Sequence, residues 1–131
     1  MDKYELRQYC WIEKEIVQLE EEKRRILDQY LAPPAPDGMP HGSGTVDRLG
    51  NIVARRDELQ RKIDKKIDAL LALHDRIEAA IEELPADDRV LVRMKYIDGL
   101  TWEQISVEMG FSWRHLHRRH GKILAKLSKM S

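Results

Sequence analysis

The sequence predicts an all-α fold, in which a long N-terminal antiparallel hairpin of helices, similar to a coiled coil, precedes a C-terminal module of short helices. The 131 residues are 35% charged and only 6% aromatic, which is untypical of a β-sandwich. The apolar fraction of 42% is too high for a disordered chain. Apolar residues also recur every three or four positions over long stretches, which is the spacing of amphipathic helices.

The first helix is predicted over residues 3–31, because apolar residues recur there at spacings of three, four and seven. These residues are Leu6, Tyr9, Ile12, Ile16, Leu19, Ile26 and Tyr30. Residues 32–45 then hold four of the five prolines and three of the seven glycines. Since proline and glycine interrupt regular structure, this segment is predicted to be a loop.

A second helix is predicted over residues 46–84, with Thr45 as its N-cap and Pro85 as the residue that ends it. Its apolar residues are mostly three or four apart, close to a heptad repeat, and a helix of this length cannot bury such a stripe alone. The first helix is one candidate partner, which would make residues 1–84 a hairpin domain. A second copy of the chain, in a homodimer, is the other candidate.

Residues 85–131 are predicted to form a second domain of three short helices. Pro85 is expected at the first position of the first of these helices. Val90, Leu91, Met94 and Ile97 are expected to form its inner face. Thr101 and Gln104 have the spacing of a capping box at the start of the next helix, and Gly110 is placed to end it. Ser112 is expected to cap the last helix, which reaches about Leu127 and buries Leu116, His120, Ile123 or Leu124, and Leu127.

The charge of the chain is unevenly distributed although the formal net charge is zero. Residues 112–131 contain six lysines or arginines and no acidic residue, and they include three of the five histidines. A basic helix on an otherwise neutral or acidic protein is typical of a surface that binds a polyanion. A solvated basic tail is the alternative interpretation of the charge alone.

Two short helices joined by a glycine-containing turn, the second of them basic, form the pattern of a helix-turn-helix that binds double-stranded DNA. In this motif the second helix enters the major groove. The side chains expected at base edges are Trp113, Arg114, His115, His117 and Arg118. The residues expected to contact phosphates are Thr101, Ser112, Arg119, Lys122 and Lys126.

Residues 84–85, 91–96, 99–105, 110–112 and 116–127 together resemble region 4 of sigma-70 factors. The whole layout, with His120 and Gly121 in the last helix, is similar to phage and prophage regulators of the ArpU type. The resemblance implies binding to a −35 promoter element, contact with RNA polymerase and regulation of late phage genes in the cytoplasm of a bacterial host cell. The chain departs from the sigma pattern at Ser106, which replaces the usual alanine, and at Arg119, where an apolar residue is frequent.

The sequence contains no motif that indicates an enzyme, and neither a cofactor nor a metal is expected. His115 and His117 point in nearly opposite directions on a helix, so they cannot share a metal ion. Cys10 is the only cysteine, and a catalytic thiol is not expected there. Other functions remain open, namely a helical adaptor that binds RNA polymerase, a phage assembly factor, or the DNA-recognition subunit of a phage packaging machine. Because no apolar run spans a bilayer, we expect no contact with a membrane.

Overall fold

The computed structural model describes residues 1–31 and 43–129, and side chains over residues 1–30 and 47–129. The described residues form five α-helices and no strand, so the all-α prediction is confirmed. The helices are α1 (Lys3–Leu31), α2 (Ser43–Ile81), α3 (Ala86–Val92), α4 (Trp102–Met109) and α5 (Trp113–Lys129), and a π-helical segment over Arg93–Ile97 continues α3. None of these helices is both long and apolar enough to span a membrane.

The chain forms two compact units. The hairpin unit is Lys14–Asp68, and the C-terminal unit combines Met1–Glu13 with Ala69–Ser131. The predicted boundary between residues 84 and 85 therefore falls inside the C-terminal unit. Whether residues 1–84 and 85–131 fold as separate domains stays a prediction.

In the hairpin unit, α1 and α2 run antiparallel and are joined by polar contacts. The Lys66 ammonium lies 2.9 Å from a carboxylate oxygen of Glu15, and the Lys23 ammonium donates a hydrogen bond of 2.7 Å to the amide oxygen of Gln60. Beneath these contacts Leu59 is buried with 3% of its surface exposed. Within this unit α2 is thus paired with α1 of the same chain, which was one of the two partners considered.

The observed bounds differ from the predicted ones at both ends of α2. The first helix matches its prediction over residues 3–31, but α2 begins at Ser43, two residues before the predicted cap Thr45. The predicted loop over 32–45 lies outside the described residues except for residues 43–45, which are helical. The α2 helix also ends at Ile81 and not at Leu84.

The early end of α2 has a physical reason. The backbone N–H of Leu84 donates to the carbonyl of Ile81, and the Arg89 guanidinium donates to the carbonyls of Glu82 and Leu84. These contacts satisfy carbonyls that a helix end leaves without partners. Pro85 has φ −55° and ψ 154°, so it is the N-cap of α3 and not its first helical residue as predicted.

The core of the C-terminal unit draws on all five helices. Leu6 of α1 and Ile77 of α2 are fully buried, and they belong to the same apolar cluster as Leu91 and Ile105. Leu116, Ile123 and Leu127 contribute the α5 side of this cluster. The ends of α1 and α2 therefore complete the core of the short helices.

The buried residues of α3 and of the π-helical segment differ from the predicted inner face. Leu91, Val92 and Tyr96 are buried, whereas Val90, which was predicted on the inner face, is 39% exposed. A π-turn forms its hydrogen bonds between residues five apart, as the 2.8 Å bond from Asp98 N–H to the Arg93 carbonyl shows. Leu91 and Tyr96 are also five apart, so they share one face. The predicted face assumed regular α-helical spacing and is wrong at Val90.

The local signals around α4 are confirmed. The Thr101 hydroxyl accepts from the N–H of Gln104 at 3.2 Å, and the Gln104 side-chain oxygen accepts from the N–H of Thr101 at 2.9 Å. Gly110 ends α4 with φ +69°, a conformation that disfavours any residue with a Cβ. The Ser106 hydroxyl donates to the carbonyl of Phe111, so this departure from the sigma pattern ties α4 to the following turn. The α4–turn–α5 geometry is set by these contacts.

We expect Thr101→Ala to lower the free energy of unfolding by about 1 kcal/mol, because it removes the oxygen that satisfies the N–H of Gln104. Urea denaturation followed by circular dichroism measures this change. Thr101→Ser is the matched control and should retain most of the stability, since it keeps the hydroxyl. Equal losses in the two variants would contradict the capping role.

Candidate nucleic-acid interface

The two faces of α5 differ sharply in polarity. Its inner face carries the predicted stripe, which is confirmed: Leu116, His120, Ile123 and Leu127 are all buried. The outer face is exposed and basic, and it includes Arg114, Arg118, Lys122 and Lys126. Because residues 112–129 contain no aspartate or glutamate, the positive charge of this face is not offset within the helix.

The residues at the two helix starts have exposed hydroxyl groups. The Ser112 hydroxyl accepts a hydrogen bond of 3.2 Å from the N–H of His115 and caps α5 as predicted. Thr101 has the corresponding role at α4, and both residues are exposed. Each hydroxyl carries one proton in addition to the acceptor site used here, so each retains a donor suited to a phosphate oxygen.

A series of rings leads from the surface of α5 to the core. Trp113 is 61% exposed, and its ring centroid lies 3.9 Å from that of His117. The His117 ring lies 4.7 Å from Trp102, and Trp102 lies 4.8 Å from His120. The His120 ring is in turn stacked at 5.8 Å on Tyr96. The exposed indole of Trp113 is therefore supported from below by packed rings.

His115 and His117 are half-buried and do not project freely. The His115 ring packs against Phe111 at a centroid distance of 4.6 Å, and its Nδ1 lies 3.5 Å from a guanidinium nitrogen of Arg118. The Nε2 atoms of both histidines are buried and have no hydrogen-bond partner among the described residues. Among the five residues predicted at base edges, the structure thus exposes Trp113, Arg114 and Arg118 and holds the two histidines partly beneath them.

Arg119 connects α5 to the start of α3. Its guanidinium donates hydrogen bonds of 3.0 and 2.6 Å to one oxygen of Asp88 and of 2.6 Å to Asp87. The side-chain hydrogen bond from Arg119 lowers the pKa of the Asp87 carboxyl, and bonds to both aspartates raise the pKa of Arg119. Arg119 was predicted to contact a phosphate, which no observation tests, but its charge is offset by two carboxylates.

The basic face continues beside this contact. Arg118, Lys122 and Lys126 border an open cleft of about 360 Å³, whose lining also includes Asp88 and Ile123. Arg119 offsets the charge of Asp88. The lysines therefore leave this side of α5 with a net positive charge. The residues predicted at phosphates therefore divide into Lys122 and Lys126, which are exposed, and Arg119, which is engaged.

His120 has the role of a satisfied core histidine, as the sequence indicated. Its Nε2 lies 2.5 Å from the Tyr96 hydroxyl, and the residue is 7% exposed. Burial lowers the pKa of His120 to about 4, with smaller contributions from positive charges at Lys3, His117, Lys95 and Arg7. Burial also raises the pKa of Tyr96 to about 12. Both the phenol and the imidazole are therefore neutral at pH 7, and they share one buried hydrogen bond.

Two features of this site were not predicted from the sequence. The first is the packing of His117 between Trp102 and Trp113, although Trp113 and His117 are four residues apart on a helix and therefore neighbours. The second is the pairing of Arg119 with Asp87 and Asp88, for which the sequence gives no local signal. Among residues 1–31 and 43–129, no three His, Cys, Asp or Glu side chains are placed to hold a metal ion.

This geometry is that of a helix-turn-helix module: a capped α4, a tight turn at a left-handed glycine, and a basic amphipathic α5. Residues 74–127 match the family described as Sigma-70, region 4. The matched part is less than half of the chain, and it includes the C-terminal end of α2 as well as α3 to α5. Neither the curated proteins nor the solved structures that were compared include a match to this chain.

We expect Arg119→Ala to lower the free energy of unfolding by about 1–2 kcal/mol, because it leaves the buried carboxylate of Asp88 without its donors. The matched control is Arg118→Ala, which removes an exposed neighbour and should change stability by less than about 0.5 kcal/mol. Urea denaturation of both variants at neutral pH gives the comparison. Equal stabilities would show that the Arg119 contacts do not hold α5.

The stability of the protein should fall as the pH is lowered from 7 to 5, by about 2 kcal/mol from His120 alone. The pKa of His120 in the folded protein is lowered to about 4 from an ordinary value of 6.5, so the unfolded chain takes up a proton first. The contribution of the neutral form is therefore present above pH 6.5 and lost between pH 6.5 and 4.

The His120→Leu variant provides the comparison for this pH dependence. Urea denaturation at several pH values should show a flatter profile for His120→Leu than for the wild type. A profile for His120→Leu as steep as that of the wild type would exclude His120 as the source.

Proposed function

We propose that this protein is a sequence-specific DNA-binding transcriptional regulator of the phage or prophage type, with α5 placed in the major groove. The observation that carries the proposal is the outer face of α5, which is exposed, basic and free of acidic residues while its inner face is buried. The match of residues 74–127 to sigma-70 region 4 supports the same function, because that family binds DNA through a helix-turn-helix.

The proposed base contacts are made at the start of α5. Arg114 and Arg118 are exposed and one helical turn apart, and an arginine can bond both acceptors of a guanine edge. Trp113 is suited to packing on a thymine methyl group, since its indole is exposed and rigidly supported. We assign His117 and His115 to the same surface through the side chains they support, Trp113 and Arg118.

Phosphate contacts are proposed for the flanking residues. Lys122 and Lys126 lie farther along the basic face, and Thr101 and Ser112 offer hydroxyl donors at the two helix starts. Such contacts fix the orientation of a protein on the duplex without reading sequence. Arg119 is expected to take a smaller part, because its guanidinium is bonded to two carboxylates.

RNA polymerase is the proposed protein partner, and the cytoplasm of a bacterial host is the proposed location. Both follow from the matched family, whose region 4 domains bind DNA and RNA polymerase. A homodimer is also part of the proposal, since one helix-turn-helix reads a short site with modest affinity. The resemblance to ArpU-type regulators is the reason for assigning the protein to phage late-gene control.

Selection of bound sites from random duplex DNA, followed by sequencing, tests the proposal. We expect an enriched site and salt-dependent affinity, and Arg114→Ala with Arg118→Ala should weaken binding by roughly 1–3 kcal/mol for each lost guanine contact and relax the sequence preference. A selected site that matches a −35 promoter element would support action together with polymerase.

The matched control for this experiment is Arg56→Ala with Arg61→Ala, which removes two exposed arginines of α2 in the hairpin unit. This variant should bind the selected site like the wild type. The proposal is overturned if the wild type binds no duplex at low salt, or if both double variants bind equally well.

A further inference from the structure

One side of the hairpin unit carries a groove between α1 and α2 that is lined by both helices. It consists of two clefts that share Glu22, with volumes of about 440 and 630 Å³. Leu19, Ile26 and Ile52 form apolar parts of the lining and are only half-buried. We name this surface the side groove. It lies entirely within Lys14–Asp68.

The apolar lining of the side groove is incompletely covered within the unit. Leu59 and Ile63 are almost fully removed from solvent, with 3% and 0% exposure, whereas the residues of the side groove keep part of their surface in water. Two packed helices present a shared apolar seam on only one side of each helix. Helical hairpins gain further burial when a second pair of helices covers them, as in four-helix bundles.

The two walls of the side groove have opposite charge. The α1 wall is mainly acidic and includes Glu15, Glu21 and Glu22, with Arg25 as its basic residue. The α2 wall is mainly basic and includes Arg48, Arg55, Lys62 and Lys66, with Asp47 as its acidic residue. Within one chain Lys66 lies 2.9 Å from Glu15 and Arg55 lies 3.5 Å from Glu22, whereas Glu21 and Lys62 are exposed and present their charges outward. A partner that fits both walls must itself have one acidic and one basic side.

We propose that the side groove binds the side groove of a second copy of this chain, with the two-fold axis parallel to the helices. This axis places α1 of each copy over α2 of the other, so each acidic wall faces a basic wall. An axis perpendicular to the helices would place α1 over α1 and α2 over α2, and like charges would oppose each other. The charge pattern therefore selects the first arrangement, a four-helix bundle.

The charge pattern also favours a second copy of the chain over other molecules that could bind in the side groove. A basic or an acidic peptide would satisfy one wall and be repelled by the other. A second copy of the chain has one acidic and one basic helix and therefore fits both walls. Isologous contacts, in which both copies use the same surface, are the commonest interfaces of homodimers. This inference rests on the homodimer of the proposed function, for which it names the interface, and it does not depend on DNA binding.

A charge-exchange experiment on the full chain tests the arrangement. Variant one makes the α1 wall basic through Gln18→Lys and Glu21→Lys, and variant two makes the α2 wall acidic through Lys62→Glu and Lys66→Glu. Each variant alone should dimerise at least about tenfold more weakly than the wild type, because both interfaces of its dimer then join like charges. An equimolar mixture should regain dimers, since every basic wall again meets an acidic wall.

Sedimentation equilibrium measures the dissociation constants, and circular dichroism checks that each variant is folded. Arg61→Glu with Lys65→Glu is the matched control, because it makes the same charge change on exposed residues of α2 that do not line the side groove. It should dimerise like the wild type. A monomeric wild type at the highest soluble concentration overturns the proposal, as does a mixture of variants that gains no dimers.

Discussion

The burial of the inner face of α5 is the interaction on which the candidate interface depends. Leu116 and Leu127 are fully buried, and Ile123 is 2% exposed. Each such side chain contributes roughly 1.5–3 kcal/mol when it is removed from water, whereas a surface ion pair contributes about 0–1 kcal/mol. Apolar packing therefore holds α5 in place, and the Arg119 bonds to α3 fix its rotation. The basic side of the helix faces water because the other side is buried.

Three histidines of α5 show how the environment gives one residue type different roles. His120 is buried against Tyr96, and its lowered pKa keeps it neutral. His117 is packed between two indoles, and His115 lies on Phe111 beside Arg118. A neutral His120 adds no charge to the inner side of a helix whose outer side is already positive. The exposed arginines and lysines of α5 thus provide the electrostatic attraction to an anion.

Much of the fold was predictable because its signals are local. The helical periodicity placed α1 over residues 3–31, and the capping box at Thr101, the left-handed Gly110 and the cap at Ser112 are each defined within a few residues. Val90 was placed wrongly because the buried side of α3 is formed by Leu91 and Val92, and Val90 lies beside it with 39% of its surface exposed. Which side of α3 is buried depends on the helices packed against it and not on the sequence of α3 alone.

The sequence by itself determined the helical class, the basic face of α5 and the residues that make up that face, because these follow from spacing and charge along one helix. Only the tertiary structure decided that Arg119 bonds to Asp87 and Asp88. It also decided that two histidines are held beneath Trp113 and Arg118, and that Leu6 and Ile77 complete the core. These contacts join residues that are far apart in the chain. Packing between helices determines which residues meet in these contacts, and no local sequence pattern indicates it.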